Sequence, residues 1–179
     1  VRARGCQLRQ NTDIGVYANG AGSSVELLDV LVQNTRNAPG GSAGRGIVVQ
    51  DGARVDATRC VLEGCGEIAV FAADPGSRVD LVQVDVVGTE RWSGTAVAAG
   101  VVAQDLAEVV ASEVRVEQTQ GPGLFVSAGS IECHECELVG NGFAGIVLWS
   151  QGRVSLTDSL VQGTLADDNA GGGVGVYAA

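Results

Sequence analysis

The chain contains no lysine and no methionine, a single histidine, three prolines and only 4% aromatic residues among 179. Without lysine, and with His134 as the one histidine, it offers few of the side chains that serve as general bases or acids near neutral pH. The missing methionine leads to the expectation that the sequence is an interior piece of a longer protein, and no signal peptide is visible in it. All eleven basic residues are arginine, a usage associated with GC-rich bacterial genomes. No apolar run is long enough for a transmembrane helix, so membrane insertion is not expected. With 21 acidic residues the net charge is −10, which would repel the phosphates of nucleic acids and anionic lipids. Helical periodicity is also absent.

What the chain has is repetition, which must be sought before any local motif is read. A strand-like phrase recurs as GVYA at 15–18, GIVV at 46–49, AVFA at 69–72, GVVA at 100–103, GLFV at 123–126, GIVL at 145–148 and GVYA at 175–178. A second phrase precedes each copy, beginning at residues 6, 30, 60, 84, 114, 136 and 159. A third is VEL at 25, VDA at 55, VDL at 79, VVA at 109, IEC at 131 and VSL at 154. Alternating apolar residues with β-branched enrichment predict three short strands per unit. From second phrase to the Gly or Ala of the first, the gap is 9 residues in four units and 16 in three. A seven-residue insertion therefore enters one fixed turn, at 36–45, 90–99 and 165–174.

Short strands at a period near 23 residues, with no helical crossover, predict a coil in which each strand stacks on its equivalent. The pattern resembles the right-handed parallel β-helix, the pectin-lyase-like architecture, over essentially the whole chain. The expected fold is one all-β solenoid domain, residues 1–179, of about seven coils of 22–24 residues, three carrying the insertions. The phrases DVLVQNT at 29–35 and RGIVV at 45–49 also resemble uncharacterised β-helix repeat proteins of bacterial, notably myxobacterial, cell surfaces. That resemblance implies an extracellular or cell-surface location.

Stacking turns motifs into columns. IECHEC at 131–136 looks like a metal or redox site, but its cysteines share columns with apolar residues. Cys133 aligns with Leu27, Ala57, Leu81, Ala111 and Leu156. Cys136 aligns with Cys6, Val30, Cys60, Val84, Val114 and Ser159. Buried cysteine behaves as a small hydrophobe. Cys136 and Cys60 would lie roughly 14 Å apart at the stacking distance, too far for a bond. The reading is reduced wall cysteines, no zinc and no cofactor, with a local Cys133–Cys136 disulfide as the alternative. His134 points outward.

NTD at 11–13 and DD at 167–168 resemble the carboxylates of polygalacturonases. Here they are separated by roughly 29 Å at the stacking distance, whereas a general acid and base must lie within about 10 Å. The Gly-His-Gly of that family and the Asp-Pro-His-Asp of alginate epimerases are both absent. An outward acidic column, Glu26, Asp56, Asp80 and Glu132, is broken by Val110. Arg54, Arg78 and Arg153 stand two residues before this column and can relieve its repulsion. The alternative is a Ca²⁺ surface, joined by Asp167, Asp168 and Asn169 of the last insertion.

Alternation places Tyr17, Val48, Phe71, Val102, Phe125, Val147 and Tyr177 outward on the third strand. This wholly apolar stripe is a candidate ligand surface, with Tyr17, Phe71, Phe125 and Tyr177 recurring roughly every 9.6 Å. The insertions, with Trp92, are the nearest lids. The expected function is a non-catalytic scaffold that binds glycan or protein along this face, with homo-oligomerisation or end-to-end stacking as further expectations. A polysaccharide lyase or hydrolase and a purely structural spacer are the alternatives.

Overall fold

The computed structural model describes residues 1–38, 44–91, 98–167 and 171–179. No helix occurs among them, and three parallel sheets of seven strands account for nearly all the regular structure. The first sheet stacks Arg2–Arg4, Ser24–Leu28, Arg54–Thr58, Arg78–Val82, Glu108–Ser112, Ser130–His134 and Arg153–Thr157. The second stacks Gln7–Arg9, Leu31–Gln33, Val61–Glu63, Asp85–Val87, Arg115–Glu117, Glu137–Val139 and Leu160–Gln162. The third stacks Ile14–Asn19, Arg45–Gln50, Ile68–Ala72, Ala99–Gln104, Leu124–Ser127, Ala144–Trp149 and Val174–Ala178. One short antiparallel pair, Ala166–Asp167 with Gly171–Gly172, decorates the last insertion.

The register is the one the columns require. Leu27, Ala57, Leu81, Ala111, Cys133 and Leu156 pair in sequence on the first sheet. Tyr17, Val48, Phe71, Val102, Phe125, Val147 and Tyr177 pair in sequence on the third. Period-2 alternation sends the Leu27 column inward and the Tyr17 column outward, and one continuous core runs through the coil with Val32, Ile47, Val55, Leu62, Val79 and Val86 fully buried.

Single left-handed residues make the corners. Between the first and second sheets they are Gly5, Asp29, Arg59, Gln83, Glu113, Glu135 and Asp158, all with φ between 50° and 59°. Between the second and third they include Gln10, Asn34 and Gln118 at φ 55°. One αL residue turns an extended chain sharply without a long loop, which is how three faces fit in so short a period.

The glycines that open five of the seven third-strand phrases, at 15, 46, 100, 123 and 145, have a packing cause. A Cβ at Gly46 would lie 2.5 Å from Ala69 O, 2.8 Å from Leu62 Cδ2 and 2.9 Å from Cys65 Sγ. The position faces the coil at the bend, against a turn column in which Thr35, Cys65, Thr89, Thr119 and Asn141 are all buried. Asn141 is held there, its Nδ2 donating to Val116 O at 2.9 Å and its Oδ1 accepting from Thr119 N at 3.1 Å. Two expectations need correction. Cys6 and Leu156 occupy inward columns but are exposed, because they lie on the outermost coils, with no neighbour on one side.

Candidate functional site

The aromatic stripe faces out of the coil, as alternation requires, but it is not open along its length. Val48, Ile68, Phe71, Ala73, Ala99 and Val102 form a second small apolar cluster outside the main core, with Ile14 and Phe125 at its margin. Phe71 is only 6% exposed, whereas Tyr17 and Tyr177 are 53% and 42% exposed. The Arg45 guanidinium lies 4.2 Å over the Phe71 ring, and its Nε bonds Glu67 Oε2 at 3.2 Å. Phe143 and Tyr177 meet at 5.9 Å between ring centroids. A ligand running down the stripe would therefore reach Tyr17 and Tyr177 but meet a closed surface at Phe71. Phe125 is half-buried. Trp92 lies outside the described residues.

The acidic column is laced with arginine. Arg54 bridges Asp56 at 2.7 Å and Asp80 at 2.9 Å, and Arg78 bridges Asp80 at 2.8 Å and Glu108 at 3.1 Å. Glu26 is held by Arg2 at 2.7 Å. The cross-strand register sets these partners, because Arg54 and Arg78 stack directly, as do Asp56 and Asp80. Glu26, Asp56 and Asp80 are thus each paired with a guanidinium group. Asp167 is described only by its backbone, and Asp168 and Asn169 lie outside the described residues. Among the described residues, no group of three or more His, Cys, Asp or Glu could hold a metal ion.

All five cysteines are free, and Cys60, Cys65, Cys133 and Cys136 are buried. Burial pushes the Cys65 thiol up to about 12 and raises that of Cys60. The neighbouring thiol of Cys136 raises Cys133, and that of Cys133 lowers Cys136, while Cys136 Sγ donates to His134 O at 3.7 Å and to Ala111 O at 3.8 Å. His134 is exposed beside them, with Nδ1 3.8 Å from Glu135 Oε1.

The structure adds a groove that the sequence reading did not single out. About 500 Å³ in volume, it follows the corner leading into the third sheet and is lined by Asn34, Thr35, Arg36, Asn37, Gly64, Gly66, Glu90 and Arg91. Three successive repeats build it, and two of the insertions begin at its edge. Gly66 is there because a Cβ would lie only 2.4 Å from Asn37 Oδ1. Arg91 is anchored through its backbone N–H to Gln120 Oε1 at 2.7 Å. The Arg36 side chain has no partner among the described residues, and Asn37 Nδ2 is buried without one. The signal in the sequence was that Arg36 and Glu90 each directly follow a turn-column threonine where an insertion starts.

A smaller groove, about 320 Å³, lies at the third corner between Glu108, Ser130, Gln151 and Arg153. Leu106, in the turn after Ala99–Gln104, and Trp149, at the end of Ala144–Trp149, stand exposed at this corner. No helix among the described residues is long and apolar enough to cross a membrane.

The family description "right handed beta helix region" matches residues 1–161, nine-tenths of the chain. No curated protein and no solved structure matches the sequence. With three stacked parallel sheets and a match of that extent, the chain belongs to the right-handed β-helix family.

Proposed function

We propose that this β-helix is a non-catalytic scaffold, extracellular or at a bacterial cell surface, that binds a glycan in the groove at the leading edge of its third sheet. The observation that carries the reading is the set of unpaired donors at Arg36 and Asn37 in a groove of about 500 Å³. Sugar hydroxyls donate and accept, so planar amides and guanidinium groups suit them. A buried Nδ2 without an acceptor costs about 1–3 kcal/mol, which a ligand oxygen would recover. Glu90 supplies an acceptor in the same groove. Exposed Tyr17 and Tyr177 offer flat apolar faces at the two ends of the stripe.

The acidic face gives catalysis little support, because Asp56 and Asp80 are tied to Arg54 and Arg78 rather than left as an acid and a base. A protein ligand is less well matched than a glycan, since the middle of the apolar stripe is already closed at Phe71. A glycan-array screen of the intact protein tests the reading. Retention of one glycan class is expected; no retention on any class makes the protein a spacer.

A further inference from the structure

The turns that carry the chain from the third sheet back to the first differ in length, and one is the shortest. Ser127 and Ser130 are joined by Ala128 and Gly129 alone, whereas the turns on the two adjacent coils span 105–107 and 150–152. The missing residue leaves a recess of about 320 Å³, floored by Ala128 and Gly129 and flanked by Leu106 and Gln151. A Cβ at Gly129 would lie 2.9 Å from Ala103 O and 3.0 Å from Ala107 O. The short turn therefore admits glycine there, and Ala128 adds no more than a methyl group.

Both flanking turns keep a side chain where the backbone disfavours one. Leu106 and Gln151 have φ of 69° and 65°, the left-handed region that costs any residue with a Cβ. The turn at 51–53 has the same length and puts Gly52 at this place, with φ 77°. Leu106 is 66% exposed, so the fold bears the conformational cost without burying the side chain. Backbone outliers of this kind concentrate where a ligand is held. The polar groups of the recess are also open. The Arg153 side chain is exposed and has no partner among the described residues. Glu108 Oε2 accepts from Arg78 Nη1 at 3.1 Å, which leaves its Oε1 as an acceptor. Trp149 is 56% exposed, and its carbonyl accepts from Ala128 N at 3.3 Å, so it adjoins the floor.

We propose that this recess is a second binding site, built for a neutral disaccharide. Its volume lies at the lower end of small-molecule sites, about 300–1,000 Å³. It is confined to one short turn, so a compact ligand fits it better than an extended chain. Leu106 meets the apolar C–H face of a sugar ring. Gln151 and Arg153 donate to hydroxyl oxygens, and Glu108 accepts from hydroxyl groups. A guanidinium and a carboxylate in one recess offset each other in charge, which favours a neutral, hydroxyl-rich ligand over an ion. The site lies at the trailing edge of the third sheet and shares no residue with the groove at Arg36, so each stands without the other.

The test uses the intact protein carrying Trp92→Phe, which leaves Trp149 as the only tryptophan. Cellobiose, maltose, lactose and chitobiose are titrated in turn and followed by calorimetry and by Trp149 emission. One of them is expected to bind saturably and to shift the emission. Arg153→Gln and Leu106→Gly should each weaken that binding by about tenfold or more. Leu106→Gly should also melt at the same or a higher temperature, because glycine tolerates φ 69°. Arg36→Ala should leave the binding unchanged, which separates this site from the groove at the leading edge. No saturable binding of any of the four sugars, or binding that survives both recess variants, would overturn the proposal. So would a Leu106→Gly protein that melts lower and still binds, since the side chain would then serve the fold.

Discussion

Arg45 holds its guanidinium 4.2 Å above the ring of Phe71, on the outer face of the third sheet rather than in the coil. The pair closes the middle of a stripe that alternation alone leaves outward. Phe71 belongs to a second apolar cluster with Val48 and Val102, so it acts as a core residue on an outer face. Phe71→Ala should cost about 3–5 kcal/mol, the range for a buried aromatic. Tyr17→Ala, at an exposed position of the same column, should change stability by about 0.5 kcal/mol or less. Urea unfolding of both variants checks this; equal, small effects would show that the cluster contributes nothing.

The glycine column makes a second expectation. Gly46→Ala places a methyl group against Ala69 O, Leu62 and Cys65, and overpacking of this kind costs about 1–3 kcal/mol. Gly175→Ala meets nothing within 4 Å and should be near neutral. Thermal melts of the two variants give the comparison.

Cysteine reactivity should divide by exposure. In the native protein at mildly alkaline pH, Cys6 should alkylate quickly and Cys65 should not, because burial holds its thiol near 12. Under reducing conditions unfolding should release all five thiols, with no stoichiometric zinc by elemental analysis. Cys60→Ser should cost about 1 kcal/mol or less, since the new hydroxyl can donate to Thr58 O as Cys60 Sγ does.

Asp29 and Arg59 are joined across the first corner by two bonds, at 2.7 and 3.1 Å. That bond holds the Asp29 carboxyl below the ordinary aspartate range. A carboxyl depressed in the folded state favours folding above its unfolded pKa of about 3.9 and loses that contribution as pH falls through the folded value. Arg59→Gln should therefore lower stability at neutral pH, and the difference should close in acid. A carboxyl-carbon NMR titration should show the Asp29 midpoint rising in the variant; an unmoved midpoint would contradict the assignment.

The fold was legible because it is written many times. The columns of Val55 with Val79 or Tyr17 with Val48 follow from a period and from alternation, and each copy corrects errors in the next. Even the outward direction of Phe71 could be read in this way. Its burial could not, because covering a face depends on side chains such as Arg45 that arrive from a different turn. The groove at Arg36 and Asn37 was hidden for the same reason. Its lining comes from three repeats, and no single stretch of sequence contains it.

The most direct measurement is the affinity of the intact protein for whichever glycan the array retains, compared with that of Arg36→Ala combined with Asn37→Ala. Both side chains sit at the groove and neither belongs to the core, so melting should be little changed. Losing hydrogen bonds to a charged and a buried donor should weaken binding by about 1.5–3 kcal/mol, tenfold or more. An unchanged affinity with an unchanged melting temperature would contradict the account and move the binding surface away from this groove.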